Sequence, residues 1–337
     1  MRKAERGTAV EPDGITARPI IPWVGGKEKL APYILQILPP NPNVYVEPFG
    51  GSGAILLGLP RVSSRLDIYN DYDDNLVNLM LCTKERPLAL LQELRFLPLH
   101  ARREFDLLKR CMEHEDLASC LRPYREEETR IAQLYFTPDE TRELLEILQG
   151  KAELFDVRRA AAFFLLSHGS FNATMKSFAV KGWDLESQLQ KILLASRRLA
   201  GVAVENMDGV ELIRQRDSAG TLFYCDPPYY MAEQFYRAVF SPERHRELHD
   251  TLAHCRGMCV VSYNDCAEIR ELYRDFYILA FKRSHSMARS EGAQYAELIL
   301  TNYDPGSVVP QMSLFGESGI YEGMELVHTP DSTGREQ

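Results

Sequence analysis

The stretch TLFYCDPPYY, residues 221–230, runs an apolar segment into a carboxylate, two prolines and two tyrosines. Residues 222–225 predict a buried strand. Pro227 and Pro228 stop it, because proline has no N–H for a ladder and fixes its own φ. Asp226 then stands at the strand's carboxyl end, the edge at which open α/β sheets bind ligands. A rigid diproline turn can aim the Asp226 side chain and the Pro227 carbonyl at one point. Two convergent acceptors suit an exocyclic NH₂ with its two donor hydrogens. Tyr229 offers a ring face on which a planar base stacks. The lone pair of an aromatic amine is delocalised into its ring, so the amine is a poor nucleophile. Holding both N–H groups favours a more pyramidal nitrogen with that lone pair free. The electrophile must be strong, and the sulfonium methyl of S-adenosylmethionine meets the need without a covalent enzyme nucleophile or a metal.

Three other stretches bear on a cofactor. In VEPFGGSGA, residues 46–54, Gly50, Gly51 and Gly53 lie between a strand and a helix and allow close approach of a ligand to the backbone. The spacing is not that of the dinucleotide fingerprint. Asp71, at the tip of the next strand about twenty residues on, can accept from both ribose hydroxyls. Asn70, Asp73 and Asp74 crowd the same turn. In PWVGGKEKL, residues 22–30, the GGK lacks the loop of a phosphate-binding motif, and Glu28 replaces its Ser or Thr. Trp23 and Lys27 can instead cover a cofactor, by stacking and by pairing with a carboxylate; a buried Trp and a surface Lys are the plainer reading.

These residues need elements to place them. Lys27–Leu38 reads as a helix ended by Pro39-Pro40, 44–47 as a strand and 48–53 as a turn. A helix from Ala54, a strand 66–70 and a helix from Leu76 follow. Residues 87–166 carry leucines at helical spacing among Glu and Arg, as in LALLQELRFL, and predict a helical insertion. Strands at 202–205, 222–225 and 258–262 then alternate with helices at 242–255 and 266–274, with Ser241 and Pro242 opening the first. Residues 276–280 and 296–302 predict a terminal antiparallel hairpin. The fold expected is α/β, a doubly wound Rossmann-like sheet. Its parts are a flexible leader 1–18, a catalytic domain 19–86 and 167–304, the insertion 87–166, and a loose tail 305–337.

Bulk properties narrow the class. The 337 residues are 45% hydrophobic and 26% charged, ordinary for a globular protein, and the net charge is −9. That charge argues against non-specific coating of nucleic acid but leaves room for a local basic groove. No apolar run is long enough to span a bilayer, and the first residues lack a signal-peptide core, so a cytoplasmic location is expected. Seven cysteines at irregular spacing argue against a disulfide framework. Cys255, Cys259 and Cys266 cluster near His254 without a CxxC pair, so reduced structural thiols are expected rather than zinc.

Taken together, PWVGGKEKL, VEPFGGSGA, YNDYDDNLVNL, the SFN of 170–172, DPPYY, VVSYND at 260–265 and AELILTNY at 296–303 resemble the Dam-type, D12-class DNA adenine N6-methyltransferases, from about Ile20 to Tyr303. The resemblance implies S-adenosylmethionine as cofactor and DNA as partner. It implies cofactor contacts at Trp23, Lys27, Asp71 and Asp226, with Phe49 to Gly53 against the methionine part and Asp208 near the adenine ring. Asp226, Pro227 and Tyr229 match the catalytic motif. GATC-specific members carry a basic hairpin where this chain has SHGSFNATMKSFAVKGWD, with only Lys176 and Lys181 as cations, so GATC specificity is not carried over. Other DNA-contact candidates are Lys282, Arg283, His285 and Arg289, and on the insertion Arg102, Arg103, Lys109 and Arg110; a solvated basic face is the alternative. Two further readings stay open. One is transfer to another amino group (cytosine N4, RNA adenine or protein glutamine). The other is an inactive DNA-binding regulator on the same fold.

Overall fold

The structure is a computed structural model that describes residues 14–96, 102–113, 130, 133–142, 156–170, 175, 177–178, 185–230, 240–282, 295–308 and 324–330. Its centre is one sheet of β1 (Val44–Glu47), β2 (Leu66–Asn70), β3 (Ala203–Glu205), β4 (Thr221–Cys225), β5 (Met258–Asn264), β6 (Tyr277–Lys282), β7 (Tyr295–Thr301) and β8 (Met324–His328). The order across it is β3-β2-β1-β4-β5-β7-β6-β8. β1 to β5 pair in parallel. β7 runs antiparallel between β5 and β6, and β8 antiparallel beside β6. The order reverses between β1 and β4. Such a switch point opens a crevice beyond the carboxyl ends of those two strands.

Alternation along the strands feeds two cores. Tyr45, Tyr69, Leu222, Tyr224 and Val260 point to one side. Val46, Ile68, Phe223, Cys225 and Val261 point to the other. Both faces are covered, so β4 is buried at all five positions, as expected of a central parallel strand. The first face packs on α1 (Ala31–Ile37), α2 (Ala54–Gly58), α3 (Asp74–Glu85), α4 (Pro87–Phe96), α5 (Arg102–Glu113), α6 (Val157–His168) and α7 (Leu185–Leu199). The second packs on α8 (Gly209–Arg216), α9 (Pro242–Ala253) and α10 (Ala267–Leu272). Among the described residues no helix is long and apolar enough to cross a membrane.

Three features differ from the sequence expectation. The first helix begins at Ala31, not Lys27, with a proline in its first turn. Proline has no N–H to donate and suits a first turn, so the helix starts there. Lys27 is left in the preceding turn, its carbonyl accepting from the Leu30 and Ala31 amides. Residues 324–328, expected within a loose tail, form β8, and its Met324 is buried in the first core. Helices of the region expected as an insertion share the sheet's core through Leu90, Leu94, Phe105, Phe163 and Phe164. Asn78 fastens α3 to the start of α6: its amide nitrogen donates to the Asp156 carbonyl at 2.8 Å, and its oxygen accepts from the Asp156 amide at 2.9 Å.

Asn70, fully buried at the end of β2, ties together the loops after three strands. It donates to the Pro48 carbonyl at 2.8 Å and to the Met207 carbonyl at 3.0 Å, and accepts from the Met207 amide at 2.9 Å. Removing it leaves the Pro48 and Met207 backbone groups without the partner that now satisfies them. Asn70→Ala is expected to lower unfolding free energy by about 2–3 kcal/mol, read as a lower denaturant midpoint with an unchanged slope.

Candidate active site

The turn after β1 is shaped by what cannot fit. Gly50 lies against the Tyr69 ring so closely that a Cβ would fall 2.3 Å from it. Its amide donates to the Asn70 carbonyl at 2.7 Å. Gly51 and Gly53 sit at φ +51° and +67°, which L side chains resist, and the Tyr69 hydroxyl donates to the Gly51 carbonyl at 2.7 Å. Phe49 is pinned from the other side: a Cβ on Gly209 would lie 2.8 Å from its ring. Trp23 borders the turn, with its indole 3.1 Å from where a Gly51 Cβ would stand. Its ring centroid lies 6.1 Å from that of Phe163.

Asp71 holds this turn to β2. Its carboxylate accepts from the Gly51 amide at 2.9 Å and the Asp73 amide at 2.8 Å. Burial pushes its carboxyl up to about 6 against those donors. The Gly51, Asp73 and Tyr72 amides use three of about four lone-pair positions, so one is left to accept. Of the neighbouring acids, Asp73 caps α3 by accepting from the Asn75 amide, and Asp74 pairs with Arg159. Asp208 is engaged by the chain itself: it caps α8 through the Glu211 amide at 3.0 Å and pairs with Arg244.

Lys27 brings the two halves of the crevice together. Only 4% exposed, its ammonium donates to the Gly25 carbonyl at 2.7 Å and to Asp226 Oδ2 at 2.9 Å. Asp226 Oδ1 is 2.7 Å from the same nitrogen in an ion pair and, among the described residues, is a buried oxygen that accepts no hydrogen bond. Glu297 Oε1, from β7, lies 3.3 Å from the ammonium and accepts from the Tyr229 hydroxyl. The ammonium is 4.8 Å from the centre of the Tyr229 ring. Burial alone would discharge Lys27, but the two carboxylates outweigh it and hold the ammonium above its ordinary pKa. Burial raises both carboxyls, with Lys27 opposing.

Two acids in this crevice carried no role in the sequence reading. Glu47, 1% exposed, accepts from the Tyr45 hydroxyl at 2.7 Å, and burial pushes its carboxyl up to about 8. It is therefore neutral near pH 7. Glu297 stands at the polar start of the apolar run AELILT, and that lone acid among β-formers was its only signal. Asn264, at the end of β5, donates to the Tyr230 carbonyl at 3.3 Å and so pins the far end of the proline turn.

Lys176, Lys181, Arg283, His285 and Arg289 lie outside the described residues, and Lys282 ends β6 opposite Tyr295. Arg102, Arg103 and Arg110 are exposed on α5, with Lys109 half-buried beside them. The cysteines at 82, 225, 255, 259 and 266 are free thiols, and Cys255 Sγ donates to the Leu252 and Gly257 carbonyls. Among the described residues no three His, Cys, Asp or Glu side chains are grouped to hold a metal ion.

A Cβ-free turn under an indole, an acid at the next strand tip, and a buried acceptor at the far side of the switch point can hold two ligands face to face. The family model for D12 class N6 adenine-specific DNA methyltransferases matches residues 23–287, which spans every one of these features. The chain is also similar to a type II methyltransferase, M1.LlaDCHI, of Lactococcus lactis subsp. cremoris. The two are 24% identical over 310 residues, covering 86% of this chain and 96% of that protein. A match of this extent, laid over this crevice, makes the chain a member of the D12 class N6 adenine-specific DNA methyltransferase family.

Proposed function

We propose that this DNA methyltransferase carries the methyl group of S-adenosylmethionine to the N6 amine of adenine, with the base turned out of the duplex to reach the crevice. One observation carries the reading: among the described residues Asp226 Oδ1 is buried and accepts no hydrogen bond, its contact with Lys27 being the 2.7 Å ion pair, whereas its sister oxygen is hydrogen-bonded. An ion-paired carboxylate oxygen keeps lone pairs that a ligand N–H can fill. An amine N–H completes it, and the Pro227 carbonyl takes the second N–H. Tyr229 presents its ring to the base and is itself held by Glu297. As the amine gains its methyl it must lose a proton. Asp226, raised by burial, is placed to receive it.

The residues present fit an adenosyl cofactor. Asp71 keeps acceptor capacity for a ribose hydroxyl, and the compact glycine turn beside Trp23 borders the place assigned to the methionine portion. Asp208 stands at the adenine end with the lone pairs that the Glu211 amide and Arg244 leave free. When bound, S-adenosylmethionine supplies a methyl on a positively charged sulfur. Lys27 keeps Asp226 ionised and fixed while the amine approaches. Recognition of the DNA sequence is assigned to residues 87–166 and to the basic segments at 176–181 and 282–289. The catalytic domain takes in 19–86 and 167–304, together with β8 and the helices α4 to α6 that share its core. The protein works on DNA in the cytoplasm.

Methyl transfer to unmethylated DNA from labelled cofactor, followed by mass analysis of the nucleosides, tests the reading. N6-methyladenine is the expected product; N4-methylcytosine alone, or no transfer, would overturn it. Asp226→Ala should cut transfer by roughly a thousandfold or more. The fold should survive, because Glu297 still pairs Lys27. Cofactor affinity should also depend on pH. A ribose hydroxyl donates to ionised Asp71, so binding favours its deprotonated form and weakens as pH falls through about 6. Calorimetry with S-adenosylhomocysteine between pH 5 and pH 8 should show a loss approaching tenfold per unit on the acid side. Asp71→Asn should abolish that dependence.

A further inference from the structure

We propose that Glu297 is a positioning residue for methyl transfer: a single oxygen of its carboxylate orients the Tyr229 ring and anchors Lys27, so that Asp226 Oδ1 stays open for the incoming amine. This rests on the methyl-transfer reading above. Lys27 has three N–H donors. The Gly25 carbonyl takes one at 2.7 Å and Asp226 Oδ2 a second at 2.9 Å. Glu297 Oε1, at 3.3 Å, draws the third. Without Glu297 that donor turns, among the described residues, toward Asp226 Oδ1, already 2.7 Å away. A small turn of the ammonium would then close Lys27 onto both oxygens, and the acceptor meant for substrate would be lost.

The same Oε1 accepts from the Tyr229 hydroxyl, so ring and ammonium are set from one point. The point is itself rigid. Glu297 lies in β7, paired with Asn264 of β5 on one side and Phe281 of β6 on the other. Asn264 also holds the Tyr230 carbonyl. Both ends of the tyrosine pair are therefore fixed by neighbouring positions of one antiparallel ladder.

Charge adds a signature that packing alone would not give. Lys27, from the turn before α1, opposes burial in holding the Asp226 carboxyl down, and Asp226 in turn raises Glu297 on β7, Glu47 on β1, Tyr224 on its own strand and Tyr263 on β5. Glu47 and both tyrosines are largely neutral near pH 7. Repulsion between the Asp226 and Glu297 carboxylates is mutual, so Glu297 is the like charge that opposes ionisation of Asp226. Replacing it with an uncharged isostere eases that ionisation and moves the acid limb of the rate profile to lower pH.

The experiment measures labelled methyl transfer to unmethylated genomic DNA by the full chain, from pH 5 to pH 9. Wild type is compared with Glu297→Gln, Glu297→Asp, Tyr229→Phe and the Glu297→Gln/Tyr229→Phe pair. Glu297→Gln is expected to lower kcat by roughly 10- to 100-fold, with S-adenosylhomocysteine affinity kept within about threefold. Its acid limb should move down by about one pH unit. Glu297→Asp keeps the charge but withdraws the oxygen by one methylene, so it should lower kcat with the acid limb in its wild-type place. The double variant should be no slower than the slower single within about twofold, because both act through one contact. A Glu297→Gln protein within about threefold of wild type, an unmoved acid limb, or losses that multiply in the double variant would overturn the role. A wild-type chain that transfers no methyl to DNA would instead remove the methyl-transfer reading, and this role with it.

Discussion

The crevice depends on one buried ammonium shared by two carboxylates. Lys27 is nearly sealed from solvent, and a lone charge there would be prohibitively unstable. Asp226 and Glu297 make it tolerable, and Lys27 in turn keeps the two acids from repelling each other apart. Such a group rarely adds net stability relative to an apolar core of the same shape. Its value is geometric. It joins residues 199 positions apart in the chain, so the turn before α1 and the loop after β4 cannot drift independently. Loss of either acid still leaves the lysine one partner, which separates the chemistry of the site from the survival of the fold.

The sheet topology explains why these residues meet at all. β1 and β4 are neighbours, but the chain leaves them in opposite directions across the sheet, toward β2 and β3 on one side and β5 on the other. Such a reversal leaves a gap between their carboxyl ends. The glycine turn and the proline turn therefore face each other across it. Glycine supplies the close approach on one wall, where a Cβ at Gly50 would collide with Tyr69. Proline supplies rigidity on the other. Asn70 and Asn264 then fasten the adjoining loops from the flanking strands, each through backbone carbonyls that the turns leave exposed to them.

Much of this is legible in the sequence because it is local. The strand–glycine–helix unit, the acid after β2 and the strand ending at Asp226 each follow from residue types within about ten positions. The hairpin of β6 and β7 was also readable, from two runs of β-formers. What was not readable needs long-range register. Glu297 matters because the antiparallel pairing sets it beside Asn264 and hence near Lys27, and a shift of one residue would turn it to the opposite face. β8 joins the sheet only because β6 leaves an edge for it, and its short sequence among Gly, Ser and charged residues does not announce that partner. The start of α1 is displaced for two reasons, one distant and one local: Asp226 and Glu297 draw Lys27 into the crevice, and Pro32 sets the first turn past it.

The electrostatics of the crevice argue for positioning rather than covalent catalysis. Cys225 immediately precedes Asp226 and is an obvious nucleophile by proximity. Yet it is fully buried, and burial pushes its thiol well above the ordinary range, with the Asp226 and Glu47 carboxyls adding to the effect. A thiol held protonated is a weak nucleophile. Cys259, across the ladder from Phe223, is raised in the same way. Among the described residues, what remains near the crevice is a set of fixed acceptors and the Lys27 ammonium. Such groups stabilise charge as it moves from one partner to another, and they do so without reorganising when the reaction occurs. A reaction between a strong electrophile and a weak amine needs that kind of help, and a covalent step would add a barrier without removing one.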